Sequence, residues 1–214
     1  MQRYISIFLM ALMLLTGCAT TQNYDYMAKA ESTGMVLTSN GIGAGVFLGN
    51  VNNKSYFLTC NHAINGNRNI IFAQVIDADI ISISLEYPVK VIKADIVKDL
   101  ALLECDLKYF TKPYKVYSGK NIKVGSDTYS YGYPMGRPLT LSRGYIASYD
   151  GDFIIIHQET ARGCSGGPVF DKNSGELIGI ISSMFTSNNN MTRMVSYKAI
   201  SSFLKGTPVE KHGQ

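Results

Sequence analysis

Gly163-Cys164-Ser165-Gly166-Gly167-Pro168 is the stretch that decides how this chain reads. Glycines on both sides hold Ser165 on a tight turn, because a residue without Cβ accepts backbone conformations closed to the others. Backbone N–H groups stay free beside such a serine, which suits a nucleophile next to a pocket for a developing oxyanion. The same motif alone also fits a structural turn, so its partners matter. Thr59-Cys60-Asn61-His62-Ala63 brings a histidine to the end of an apolar strand, and Asp99-Leu100-Ala101-Leu102-Leu103 brings a carboxylate to the start of another. A serine hydroxyl needs a base that titrates near neutrality, itself oriented by a carboxylate. His62, Asp99 and Ser165 are therefore the candidate base, orienting group and nucleophile.

Rivals exist for each. Gly163 to Gly167 also fits the G-x-S-x-G elbow of α/β-hydrolases, but that fold needs its histidine after the serine. Only His212 follows Ser165, in the polar tail, and the strand-rich pattern lacks alternating βα units. His157 lies within a strand pattern. Asp77, Asp79 and Asp95 compete with Asp99, but only Asp99 opens the Asp-Leu-Ala-Leu-Leu run. Cys164 competes as nucleophile; choosing it shifts the register by one against Gly166-Gly167.

The order His, Asp, Ser and the three motifs together resemble the trypsin-like, chymotrypsin-fold serine peptidases, and within them the HtrA-type peptidase domain. The resemblance covers roughly residues 34–205. It implies an all-β fold of two packed six-stranded antiparallel barrels, about 34–112 and 113–205, with a short C-terminal helix. It implies a serine endopeptidase working on polypeptides through an acyl-enzyme, with no cofactor. The backbone N–H groups of Gly163 and Ser165 would form the oxyanion hole. Ile181-Ser182-Ser183 would pair with the substrate and wall its primary pocket. Glu159, six residues before Ser165, stands where a carboxylate would favour Lys or Arg. HtrA-type enzymes favour small apolar side chains, and that is the preferred reading, since no disulfide holds this loop in the trypsin arrangement. Two positions depart from the pattern. Cys60 stands where the family has Ala or Asn. Cys164 stands where animal enzymes have an aspartate that pairs with a newly released N-terminus, so no activation step of that kind is expected. Only 49 residues follow Ser165, too few for a PDZ domain beyond the second barrel.

The rest of the chain bounds these readings. Apolar residues make up 46% and charged residues 17%, with a net charge of +4 and no basic run. Nucleic-acid binding has no electrostatic footprint here. No Cys or His spacing suggests a metal. Met1-Gln2-Arg3 and the apolar run Ile5 to Leu15 read as a signal peptide, too short for a stable span. Leu15-Thr16-Gly17-Cys18 resembles a bacterial lipoprotein signal, which implies cleavage after residue 17, lipid on Cys18, and a membrane-anchored protein of the cell envelope. Residues 18–33 read as a polar tether and 206–214 as a tail. Cys60, Cys105 and Cys164 are odd in number and read as small buried side chains, with a Cys60–Cys105 bridge left open. Candidate strands include 80–85, 89–94 and a weak last one at 191–196. Ser196 caps a helix whose Ala199, Ile200, Phe203 and Leu204 share one face. Oligomeric state is not encoded. A catalytically silent scaffold lipoprotein, or an esterase using the same triad, are the alternatives to the peptidase.

Overall fold

A run of consecutive apolar residues makes a strand only if both its faces are buried. Leu100 to Cys105 is such a run. In the computed structural model, which describes residues 29–67, 69–75, 83–108, 112–118, 122–185 and 188–213, Ala101, Leu103 and Cys105 point into a barrel, with Val36, Phe47, Phe57 and Phe72. Leu100 and Leu102 point outward, against a second barrel, with Val46, Leu48 and Leu58 on one side and Tyr129, Tyr131, Phe170 and Ile180 on the other. The Asp-Leu-Ala-Leu-Leu run thus encodes a strand between two cores.

The first barrel comprises β1 (Thr33–Thr38), β2 (Gly41–Val51), β3 (Lys54–Thr59), β4 (Ile70–Val75), β5 (Ile83–Asp95) and β6 (Leu100–Cys105). Its spatial order is β1-β2-β3-β6-β5-β4, closed by β1 pairing with β4. The second comprises β7 (Asp127–Gly132), β8 (Thr140–Asp150), β9 (Phe153–Gln158), β10 (Pro168–Asp171), β11 (Leu177–Phe185) and β12 (Asn188–Ser196). Its order is β10-β11-β12-β9-β8-β7, closed by β10 pairing with β7. All these pairings are antiparallel, and each sheet closes on itself. Asn52 and Asn53 both take positive φ (51° and 63°), the turn that matches the twist of the β2–β3 hairpin. A short α1 (Asn61–Ile64) follows β3, and α2 (Tyr197–Leu204) follows β12. The Ser196 hydroxyl accepts from Ala199 N–H at the start of α2, which buries Ala199, Ile200, Phe203 and Leu204 on the inter-barrel core.

Of the expected segment 80–85, residues 80–82 lie outside the described residues; 83–85 and the whole of 89–94 are parts of one strand, β5. Glu86-Tyr87-Pro88 looks like a break, but β5 runs through it. Pairing with β6 reaches only to Lys90, so at Pro88 the strand has one neighbour, β4, and the missing N–H is tolerated. The last strand starts at Asn188, earlier than its weak pattern indicates. Both expected limits of the domain also move outward. Ser32 and Thr33 are buried, and Phe47 N–H donates to the Ser32 carbonyl, so these residues belong to the barrel and not to a tether. Beyond α2, Val209 is fully buried in the inter-barrel core, so part of the tail packs. Cys60, Cys105 and Cys164 are free and buried, so the open Cys60–Cys105 bridge is absent. Cys18 and the expected leader, residues 1–17, lie outside the described residues. Among the described residues no helix is long and apolar enough to cross a membrane.

The barrels approach closely at Gly166. Its φ is +85°, and an added Cβ would run into the Ala44 carbonyl oxygen and Thr59 Oγ1. Nearby, Ala44 N–H donates to the Ser165 carbonyl (2.7 Å) and Gly166 N–H to the Ile181 carbonyl (2.8 Å). Gly166→Ala combines a left-handed backbone with a backbone clash. It is expected to cost about 3 kcal/mol, from roughly 1–2 for the conformation and 1–3 for overpacking. Thermal unfolding followed by circular dichroism should show a midpoint lowered by roughly 6–12 °C.

Candidate active site

His62 reaches the cleft because β3 ends at Thr59 and the chain turns at once into α1, with Cys60 as its extended N-cap. Asp99 reaches the same place from the turn between β5 and β6. It sits at φ +55°, a conformation that aspartate tolerates better than most residues. The two are thirty-seven residues apart and doubly joined. His62 N–H donates to Asp99 Oδ1 (2.9 Å), and His62 Nδ1 lies 2.9 Å from Asp99 Oδ2. An ionised carboxylate only accepts, so the imidazole, when neutral, carries its proton on Nδ1 and offers the Nε2 lone pair.

Burial pushes the Asp99 carboxyl up, but hydrogen bonds from the His62 ring, the Ser182 hydroxyl and the His62 N–H outweigh it, and the net shift is downward. The His62 imidazole is held above its ordinary value, first by the hydrogen bond to Asp99 and then by Cys60. Cys60 Sγ lies 3.8 Å from His62 Nε2. Burial pushes the Cys60 thiol up, which keeps it as S–H.

Ser165 comes from the second barrel, on the turn before β10. It lines one cleft of about 240 Å³ together with His62, Gly163, Arg162 and Ile42. Its hydroxyl donates to the Ser182 carbonyl at 3.4 Å, a long bond, and not to His62. Gly163 takes φ +94°, and a Cβ there would strike the Tyr133 carbonyl oxygen. Cys164 N–H is used by the Ala161 carbonyl (3.1 Å), and Met135 N–H holds the Arg162 carbonyl (2.6 Å). The N–H groups of Gly163 and Ser165 have no acceptor among the described residues.

The candidate substrate residues part company. Ile181 and Ser182 are buried and Ser183 is exposed on β11. The register of β11 against β12 slips between Ile181 and Ser183, a bulge at Ser182. Bulges re-aim side chains. Here the Ser182 hydroxyl donates to Asp99 Oδ2 at 2.6 Å, crossing from the second barrel to the first. Sequence reading gave Ser182 a place on the substrate strand but not this bond, since a bulge leaves no local signature. Glu159 does not line the cleft. It lines a separate cavity of about 410 Å³, on the side of the turn reached by Cys164, with Thr160, Arg143 and Ser142. Arg162, exposed at the cleft wall, drew no notice in the sequence, although it adjoins Gly163.

Residues 43–180 match the trypsin-like peptidase domain family. The chain is 24% identical over 189 residues to a serine protease, Do-like HtrA, from Bacillus subtilis, covering 79% of this chain and 39% of that protein. It is 30% identical over 171 residues to a DegP-like probable periplasmic serine endoprotease from Brucella suis, covering 73% and 28%. It thus spans well under half the length of these relatives. In fold it is similar to the serine endoprotease from Yersinia pestis, with a TM-score of 0.73, 20% identity, and coverage of 88% of this chain and 66% of that one. A protease from M. tuberculosis in its active form gives a TM-score of 0.69 at 18% identity, with coverage of 84% and 82%. The match over residues 43–180 takes in all three motifs from which the reading began, and this chain belongs to the trypsin-like peptidase family.

Proposed function

We propose that this chain is a serine endopeptidase that cleaves polypeptides through Ser165, His62 and Asp99. The observation that carries the reading is the bonded series from Ser182 through Asp99 to His62, which spans both barrels and ends at a histidine lining the same cleft as Ser165.

Each step uses a group already described. Attack requires the Ser165 hydroxyl to leave the Ser182 carbonyl and meet Nε2, which takes its proton as Oγ attacks the peptide carbonyl. Catalytic hydrogen bonds are often long before substrate binds. The free N–H groups of Gly163 and Ser165 would stabilise the tetrahedral oxyanion. The imidazolium, held by Asp99, then gives its proton to the departing amine and leaves an acyl-Ser165. Water, deprotonated by the same Nε2, releases the acid. Ser183, exposed beyond the bulge, would meet an extended peptide beside β11. Glu159 lies outside the cleft, which supports a preference for small apolar side chains over Lys or Arg.

The relatives' names and the lipoprotein-like Leu15-Thr16-Gly17-Cys18 support action at the cell envelope, with Cys18 as a lipidated N-terminus. The test is hydrolysis of an unfolded protein by the membrane fraction of cells expressing the chain, against the same fraction carrying Ser165→Ala. Cleavage in the first alone supports the reading, with an acylated N-terminal Cys18 by mass spectrometry supporting its anchoring. Equal cleavage in both rejects the peptidase and leaves the silent scaffold.

Ser182→Ala removes one hydrogen bond to a charged group. It is expected to lower kcat by about tenfold to a hundredfold, from roughly 1.5–3 kcal/mol of lost orientation, while KM changes less. Steady-state kinetics on a short peptide checks this; a loss confined to KM would assign Ser182 to substrate binding alone.

A further inference from the structure

The Cys60–His62 pair does something the reaction above does not need. Cys60 Sγ faces the same Nε2 that Ser165 must use, at 3.8 Å. With Zn–S near 2.3 Å and Zn–N near 2.0–2.1 Å, that separation corresponds to one ion bridging sulfur and nitrogen at an angle of about 120°, close to tetrahedral, with neither atom moved. The other ring nitrogen is bonded to Asp99, and a metal-bound histidine nearly always donates its second ring N–H to a carboxylate, a backbone carbonyl or water, which fixes the ring in this way. The donor atoms of Cys60, His62 and Asp99 all lie within 4.8 Å of one another. Cys60 is buried and does not line the cleft, but the His62 side chain is 51% exposed and does, so water or a peptide carboxylate completing the coordination would come from the His62 side. Nothing in the sequence spacing announces this, because Cys60 and His62 are only two residues apart and the turn from β3 into α1 folds them together.

We infer that Cys60 and His62 form a binding site for a borderline-soft divalent cation, represented by Zn²⁺, whose occupancy shuts off the base. On binding, the Cys60 S–H bond breaks and its proton goes to solvent. Sulfur becomes a thiolate ligand, neutral Nε2 donates its lone pair, and no electron changes hands. A lone pair held by the cation cannot accept the Ser165 proton, so hydrolysis stops until a chelator removes the ion. The site itself rests on the observed pair; its inhibitory consequence rests on the peptidase reading.

The experiment keeps the two apart. The full chain, purified in detergent, is titrated with Co²⁺ and with Zn²⁺, and peptide hydrolysis is followed separately. The expected result is a thiolate-to-cobalt charge-transfer band that saturates at one ion per chain and is displaced by Zn²⁺. Cys60→Ser, which keeps the size of the side chain, and His62→Ala should each weaken Zn²⁺ binding at least about tenfold. Hydrolysis by the wild type should fall with the same Zn²⁺ dependence and return on chelation, and in Cys60→Ser that dependence should shift by the same factor. A band that persists unchanged in Cys60→Ser, or no band at all, overturns the site. Saturated binding with undiminished hydrolysis overturns the inhibitory role. Absence of hydrolysis in every sample, with the binding results as expected, leaves the site standing and counts against the peptidase reading.

Discussion

Ser165→Ala is expected to lower kcat/KM for peptide hydrolysis by about 10⁴-fold or more, His62→Ala to do the same, and the double variant to be little worse than either. The expectation follows from a single proton path. The Ser165 hydroxyl attacks only if Nε2 takes its proton, and Nε2 contributes only if that hydroxyl is there to give it. The first loss therefore removes the benefit of both. What survives is the contribution of substrate binding and of the free N–H groups of Gly163 and Ser165, which neither substitution touches. Cys164→Ser should retain hydrolysis, because Cys164 contributes its backbone to the turn while its side chain is buried in the second barrel's core and the residue does not line the cleft. Kinetics on one defined peptide measures all four proteins. Losses from Ser165→Ala and His62→Ala that multiply in the double variant would mean two independent contributions, and the proton path would be wrong.

Asp99→Asn is the second large effect, a fall in kcat on the order of 10³–10⁴-fold. An amide offers the ring either a donor or an acceptor, so Nδ1–H is no longer enforced and Nε2 is no longer reserved as the base. The pH profile adds a signature that misfolding cannot imitate. His62 works as a base only when neutral, so the rate rises with pH as the imidazole loses its proton. Asp99 favours the charged imidazole and raises its pKa, so the wild-type rise should centre above 6.5. Replacing the carboxylate by an amide removes the hydrogen bond to a charged acceptor that is the main cause of that shift, and the rise in residual activity should move to lower pH. A rise that stays in place, or moves upward, would contradict the assigned pair.

Local pattern carried most of the fold. The contiguous apolar run after Asp99 reads as a strand because a strand between two cores has no polar face to show. Asn52-Asn53 reads as a hairpin because only a few residues accept two successive positive φ values. The pairing of two barrels came from resemblance, since nothing in the strand pattern alone distinguishes one closed sheet from two. Features set by distant neighbours stayed hidden. Pro88 looked like a break because its tolerance depends on where β6 ends. Val209 looked like tail because the core it joins is built from both barrels. At the site, residue types at motif spacing pointed to His62, Asp99 and Ser165. Ser182's bond to Asp99 arises from a bulge, and the placement of Glu159 in another cavity depends on how the loop before Ser165 turns.

Covalent labelling by a serine-directed phosphonylating reagent tests the central claim most directly. The reagent reports a nucleophile activated by its neighbours and needs no knowledge of the natural substrate. After digestion, mass spectrometry should find one adduct per chain, on Ser165, with labelling nearly abolished in His62→Ala and hydrolysis lost in step with adduct formation. An adduct on Cys164, or full hydrolysis by a chain that carries no adduct on Ser165, would contradict the assignment.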